Sequence, residues 1–181
     1  MQMLRANAKS TDLHRRQLLR GDLRGTRLPR RPPWAVPEAE FTRLCTRCDR
    51  CIQACWSEIL VRGSGGFPEV RFDQAGCDFC GECLKACDRG ALSAPVPAPS
   101  LAWPWKARIE PHCLSLRGIV CRACGDACDA EAIRFHLQTG GRAEPEVDEA
   151  ACNGCGECFA VCPEHAISLT ISNDTSDEEC R

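Results

Sequence analysis

The sequence predicts a small α+β fold of short hairpins and short helical turns, built twice over and held by its cysteines more than by an apolar core. Three observations carry this expectation. Seventeen of the 181 residues are cysteine, a content seen in covalent or metal-built scaffolds. Sixteen of those seventeen fall into four sets at nearly constant spacing. Segments of strict apolar–polar alternation follow the sets, as half-buried strands do. Without the cysteines the apolar share falls to roughly 35%, tyrosine is absent, and only six phenylalanines and four tryptophans remain, so an ordinary core would be thin at this length.

Residues 1–35 read as a basic N-terminal arm. The formal net charge of −2 hides nine basic residues in positions 1–31 (Arg5, Lys9, Arg15, Arg16, Arg20, Arg24, Arg27, Arg30, Arg31) against Asp12 and Asp22. The rest of the chain carries 14 basic against 23 acidic groups, so the arm sits on an acidic body. Arg15-Arg16 with Leu18-Leu19 looks like a twin-arginine export signal. Arg20, Asp22, Arg24, Arg27, Arg30 and Arg31 interrupt every stretch that could serve as its apolar region. No run of 18 apolar residues occurs anywhere, so no transmembrane segment is expected, and the expected location is the cytoplasm. Ser10 or Asp12 could cap a short helix through Leu13, Leu18, Leu19 and Leu23, although these leucines keep no clean helical period. The arm is read as a solvated segment, with docking to a partner or peripheral contact with an anionic membrane as the alternative. It is too short and too poor in aromatic residues for nucleic acid.

Residues 36–93 form the first module. It holds Cys45, Cys48, Cys51, Cys55 in CTRCDRCIQAC and Cys77, Cys80, Cys83, Cys87 in CDFCGECLKAC, both of the form C-x2-C-x2-C-x3-C. Cys45 to Cys77 and Cys55 to Cys87 are each 32 residues apart, the mark of an internal repeat. Residues 59–62, then Gly63-Ser64-Gly65-Gly66, then residues 69–72 predict a hairpin. The glycines are a turn and not a phosphate loop, which needs a following Lys-Ser/Thr and a helix. Short helical turns are expected after each third cysteine, as at Leu84-Lys85-Ala86. Residues 94–105 (APVPAPSLAWPW) read as a Pro-rich linker.

Residues 106–172 form the second module. Cys152, Cys155, Cys158 and Cys162, in CNGCGECFAVC before Pro163, repeat the regular spacing. The third set is irregular: Cys113, Cys121, Cys124 and Cys128 follow C-x7-C-x2-C-x3-C, and Cys124 and Cys128 recur 34 residues later at Cys158 and Cys162. Ile133-Arg134-Phe135-His136-Leu137 and Ile167-Ser168-Leu169-Thr170-Ile171 alternate with period 2 and predict strands, with a turn at Gln138-Thr139-Gly140-Gly141. Every set is followed by a similar apolar exit: Glu58-Ile59-Leu60, Gly90-Ala91-Leu92, Glu131-Ala132-Ile133 and His165-Ala166-Ile167. Residues 173–181 are an acidic tail in which Cys180 is left over as a free thiol.

In a reducing compartment these thiols are metal ligands in preference to disulfides, and their odd number also argues against complete pairing. Four cysteines within 11 residues are wrong for one zinc ion. Redox C-x-x-C chemistry would need a single pair beside a βαβ pattern, which is absent. The spacing suits a [4Fe–4S] cube: three cysteines at i, i+3 and i+6 reach three corners, and the fourth corner takes its ligand from another run. In two-cluster ferredoxins the fourth cysteine of each run serves the other cluster. That exchange assigns Cys45, Cys48, Cys51 and Cys87 to one cluster, and Cys77, Cys80, Cys83 and Cys55 to a second. It likewise groups Cys113, Cys121, Cys124 and Cys162, and Cys152, Cys155, Cys158 and Cys128. For the irregular set a degenerate module, with Cys113 structural and its cluster lost, stays open beside this reading. The fold class is therefore two tandem bacterial-type 2[4Fe–4S] ferredoxin-like modules, carrying four clusters or at least three, whose folding depends on them. Gly81, Gly154 and Gly156 lie between ligands, where bare backbone can turn sharply and aim N–H groups at sulfur. His14, His112, His136 and His165 face no uncommitted Ser or Cys, so no catalytic constellation is expected.

These strings resemble the NapF-type ferredoxin-like proteins, 4Fe–4S accessories of periplasmic nitrate reductase systems. The likeness covers most of residues 14–170. It runs through Arg15-Arg16 with Leu19-Arg20-Gly21, Arg31-Pro32-Pro33-Trp34, CTRCDRCIQAC, and Ile59-Leu60 before the glycine turn. It continues in Cys121-Arg122-Ala123-Cys124, Ala132-Ile133-Arg134-Phe135 and CNGCG at 152–156. Trp56, Asp88 and Asp129 stand where the usual motif ends in proline, which changes the local surroundings of the clusters. The resemblance implies a cytoplasmic partner, the catalytic molybdenum subunit of the nitrate reductase, met before export. The implied role is maturation of that subunit, through electron delivery or iron–sulfur assembly. A general electron-transfer protein, or an interaction scaffold whose clusters serve only folding, are the other classes the sequence leaves open.

Overall fold

Short elements separated by cysteine loops cannot bury much on their own, and the strands among the described residues pair as two local hairpins and one long-range couple. A computed structural model of the chain describes residues 29–171. Most of the basic arm, the candidate helix within it, and the acidic tail with Cys180 lie outside the described residues. The unit that starts at Arg31 is the one described below.

In the first half α1 spans Glu38–Leu44, α2 Arg50–Gln53, β1 Leu60–Arg62, β2 Pro68–Val70 and α3 Glu82–Lys85. In the second β3 spans Trp105–Ile109, α4 Ala123–Asp126, β4 Ile133–Leu137, β5 Ala143–Val147, α5 Glu157–Ala160 and β6 Ile167–Ile171. Both expected hairpins form. β1 and β2 pair antiparallel from Leu60 opposite Val70 to Arg62 opposite Pro68, and β4 and β5 from Ile133 opposite Val147 to Leu137 opposite Ala143. The helical turns contain the third cysteine of each set (Cys51, Cys83, Cys124, Cys158) instead of following it, so that ligand is placed by helical geometry.

Two elements lie outside the sequence expectation. α1 buries only Phe41, with Glu38 and Glu40 in its first turn and Arg43 in its last, charges that suit the helix dipole. β3 emerges from the end of the Pro-rich segment and pairs antiparallel with β6, Trp105 opposite Ile171 and Ile109 opposite Ile167. The first half has a reduced counterpart of that pair. Ala35 bridges Leu92, with Val36 N–H donating to Ala91 O at 3.1 Å and Ser93 N–H to Trp34 O at 2.9 Å. Each half is thus a hairpin between two cysteine runs, closed by pairing its own beginning and end.

The linker and arm expectations differ from the structure at their inner ends. Ala102, Trp103 and Trp105 of the 94–105 segment are buried, because indole rings of this size gain more by burial than a linker gains by solvation. Trp103 and Trp105 stack at 4.9 Å between ring centroids, and Phe72 meets Trp103 edge-on at 5.8 Å. At the arm's end Pro32, Pro33 and Trp34 are buried, as is Arg31. The Arg31 guanidinium makes a two-pronged contact with Glu38, both bonds 2.7 Å, donates to Pro68 O at 3.2 Å, and lies 4.9 Å from the Phe41 ring centroid. The RPPW string is therefore a clasp across α1 and β2, and the folded body begins at Arg31, inside the arm as read from charge.

The apolar cores are unequal. The first gathers Trp34, Phe41, Leu60, Phe67, Phe72 and Trp103, while the buried members of the second are Ala107, Ala132, Ile133 and Ile167 with Cys124, Cys152 and Cys158. The halves meet along a close seam. Cys77 N–H donates to Cys155 O at 2.8 Å, while Trp105, at the start of the second half, packs into the first core and donates from Nε1–H to Gly154 O at 3.1 Å. Gly156 has φ +86°, and a Cβ there would lie 2.4 Å from the Phe72 ring. Replacing Gly156 by Ala combines left-handed strain with overpacking and should cost about 2–4 kcal/mol. A lower anaerobic unfolding midpoint than the parent checks it; an unchanged midpoint would show that the seam yields freely. Among the described residues no helix is long and apolar enough to cross a membrane.

Candidate iron–sulfur centres

The cysteine loops are bent at repeated positions. Three residues after every fourth cysteine the backbone is left-handed: Glu58 at φ +55°, Gly90 at +69°, Glu131 at +49° and His165 at +51°. In the three regular sets the residues flanking the second cysteine are left-handed too: Arg47 and Asp49, Phe79 and Gly81, Gly154 and Gly156. Most of these positions are not glycine, and such strain, about 1–3 kcal/mol each, persists only where the surroundings enforce it. Sequence reasoning missed the non-glycine positions; their constant offset from each fourth cysteine was the available signal. The third set lacks the bend at Cys121, where Arg122 has φ −132°. Its longer loop reaches the site another way, with Cys113 buried beside Ser115.

All sixteen cysteines of the four sets are free thiols among the described residues, ranging from exposed (Cys48, Cys80) to buried (Cys83, Cys113, Cys124, Cys152, Cys158). One cleft of about 390 Å³ is lined by Cys45, Cys48, Cys51 and Cys87, and another of about 330 Å³ by Cys128, Cys152, Cys155 and Cys158. In both, the fourth thiol comes from the other run of the pair. Like-charge effects among the thiols run within these sets and also between them, as from Cys51 to Cys83 and from Cys124 to Cys158. Burial pushes Cys51 up to about 11, and its nearest like-charged neighbours are Cys45, Cys87 and Cys48. Burial raises Cys77 and Cys83 to about 12, with Cys55 adding to both. Cys124 is raised by burial to about 11, then by Cys113, Cys121 and Cys162. Cys158 is pushed higher still by burial, then by Cys155 and Cys152.

Donors also reach individual sulfurs. Ala166 N–H lies 3.2 Å from Cys162 Sγ and Ala107 N–H 3.5 Å from Cys152 Sγ. Arg50 Nε–H lies 3.4 Å from Cys48 Sγ. That hydrogen bond, foremost, lowers Cys48 to about 7, against the trend of the buried thiols. Among the described residues no three His, Cys, Asp or Glu side chains are arranged to hold a single metal ion, as a mononuclear zinc site requires. Four-thiol sets lining these clefts fit a thiolate-ligated group by donor chemistry. A [4Fe–4S] cluster in such a set supplies one-electron transfer and, with four cysteine ligands, has no open position for substrate. His136 pairs with Glu146 at 2.7 Å on the exposed face of β4.

Comparison with known proteins bears on the same residues. The 4Fe–4S dicluster domain matches twice, over residues 44–92 and 118–166. The first match takes in both regular sets of the first half; the second starts after Cys113 and covers Cys121 to Cys162. Two dicluster domains carry four [4Fe–4S] clusters. The chain is 41% identical to the ferredoxin-type protein NapF of Escherichia coli K12 over 87% of its own length and 94% of that protein. It is 44% identical to NapF of Haemophilus influenzae, over 82% and 81%. The ferredoxin-type protein NapG of E. coli K12 is 34% identical over 76% of this chain and 67% of its own. The methylamine utilization ferredoxin-type protein MauM of Methylorubrum extorquens is 35% identical over 73% and 67%. With four thiol sets, two dicluster domains and identity above 40% along most of its length, the chain belongs to the NapF family of ferredoxin-type iron–sulfur proteins.

Proposed function

We propose that this protein is a cytoplasmic polyferredoxin that binds the catalytic molybdenum subunit of a periplasmic nitrate reductase and assists its maturation before export, by delivering electrons. The observation that carries the reading is the likeness to NapF across nearly the whole of both chains, together with the nitrate reductase role that the resemblance implies. The ligands are Cys45, Cys48, Cys51 and Cys87; Cys77, Cys80, Cys83 and Cys55; Cys113, Cys121, Cys124 and Cys162; and Cys152, Cys155, Cys158 and Cys128. The two clefts support the first and the last of these sets. The division into a basic arm, two modules and an acidic tail is part of the proposal, as is peripheral membrane contact through the arm.

Mixing the anaerobic holoprotein with the unexported catalytic subunit should give a complex on size exclusion, and deleting the protein should lower nitrate reductase activity. No complex together with intact activity would sink the reading. The likeness to MauM, named for methylamine utilization, favours a general electron-transfer carrier as the second reading. That carrier would turn over rapidly with a soluble reductase and ignore the catalytic subunit.

A further inference from the structure

The four cysteine runs share one frame, so their differences stand out against it. Two residues after the second cysteine, each run begins its helical turn: with Arg50, Glu82, Ala123 and Glu157 in turn. A side chain there leaves the backbone beside the second ligand's sulfur, and its charge bears on whatever that sulfur holds. Only the first run places a cation at this point. Arg50 donates from Nε to Cys48 Sγ at 3.4 Å, and another of its nitrogens is ion-paired with Asp88. Asp88 directly follows Cys87, the thiol that the second run contributes to this group, so the tether crosses from one run to the other.

The remaining charges nearby are otherwise engaged. Asp49 is turned to Arg62, and Arg89 reaches Asp88 at 3.6 Å. Arg47 donates to Gly65 O at 3.4 Å and lies 5.2 Å from the Phe67 ring centroid. At the equivalent place in the second run Glu82 pairs with Lys85 at 2.7 Å, a pair that brings no net positive charge. In the fourth run Glu157 takes the equivalent place, two residues after Cys155, and brings a carboxylate there.

A hydrogen bond from a cation to a ligand sulfur stabilises the state with one more electron, and a carboxylate in the same place opposes it. We propose that Arg50, held by Asp88, sets the cluster at Cys45, Cys48, Cys51 and Cys87 at a higher reduction potential than the clusters at the Glu82 and Glu157 turns. The inference rests on the ligand sets proposed above and is independent of the partner.

The experiment is a redox titration of the anaerobic holoprotein, each cluster taking one electron from dithionite through mediators, followed by electron paramagnetic resonance. Arg50 and Asp88 are both about half exposed, so water screens part of the effect. Arg50→Gln should make reduction of one component about tenfold less favourable, a shift of roughly 59 mV for a one-electron couple, with iron content and the other midpoints unchanged. Asp88→Asn, which keeps the cation and removes a carboxylate beside Cys87, should move the same component the opposite way. Arg50→Lys should restore most of the shift. Glu157→Gln should move a different component in the opposite direction. Unmoved midpoints in Arg50→Gln and Asp88→Asn at full iron content overturn the proposal, as does an equal shift of every component. Cys48→Ser separates the underlying assignment: it should abolish the component that Arg50→Gln moves. If it abolishes another, the ligand set fails while the influence of Arg50 stands.

Discussion

Stripping the iron with a chelator under anaerobic conditions should unfold the second half of the chain outright and leave the first half partly ordered around its tryptophans. The buried aliphatic side chains of the second core are two alanines and two isoleucines, the rest being thiols. Fully burying an isoleucine is worth about 1.5–3 kcal/mol, while ordering a residue's backbone costs about 1–2 kcal/mol. Side-chain burial of that size cannot hold β3 to β6 and the β4–β5 hairpin together. The first half keeps Trp34, Phe41, Phe67, Phe72 and Trp103 in contact, with Arg31 clasped over Phe41 and Phe67. Metal binding and folding are a single equilibrium in small modules of this kind, where a structural metal contributes about 10 kcal/mol or more. After chelation, limited proteolysis should cut first within residues 106–171, and the β signal in circular dichroism should fall. Tryptophan emission should shift only part of the way to that of a denatured chain. Equal protection of both halves without iron would show that side-chain packing suffices and that the clusters are passengers.

Serine substitution of the fourth cysteine in each run should have the next largest effect. Each variant should lose about four of about sixteen iron atoms, the content of one [4Fe–4S] cluster. The informative result is which signal disappears. Cys162→Ser should abolish the same paramagnetic component as Cys113→Ser and Cys124→Ser. Cys128→Ser should abolish the component lost with Cys152→Ser or Cys158→Ser. Loss of a common component in Cys162→Ser and Cys158→Ser would mean that each run holds its own cluster and that the exchange is wrong. A parent protein with about twelve irons, unaffected by Cys113→Ser, would show that the third set holds none.

Much of this architecture could be read from residue order. β4 and β6 followed from period-2 alternation, because a strand with one wet face must alternate, and the first hairpin followed from the glycine turn between residues 59–62 and 69–72. The four thiol sets followed from spacing, because a cube constrains its ligands more tightly than any other feature of the chain. What escaped depended on contacts between distant residues. β3 becomes a strand only by lying beside β6, some 60 residues away, and its own sequence reads as the end of a proline-rich linker. α1 is a seven-residue helix with one buried side chain, too few to establish a period. Charge drew the arm's boundary at residue 35, but Arg31 is spent on Glu38 and two rings, a use that composition alone does not reveal. The left-handed Glu58, Glu131 and His165 were hidden because side chains of that kind carry no sign of strain, which the neighbouring fold imposes.

The seam between the halves bears on how the protein could be taken apart. A gene cut at the proline-rich segment, the obvious place from composition, leaves Trp105 on one fragment or the other. Its indole stacks on Trp103 and donates to Gly154, so neither fragment would be whole. The N-terminal fragment would lose Gly156 from the face of Phe72, and the C-terminal fragment would lose the Cys77 N–H that donates to Cys155 O. Duplication produced two copies of one plan, but the copies have since grown into each other, and the smallest piece that can be inherited intact is the pair.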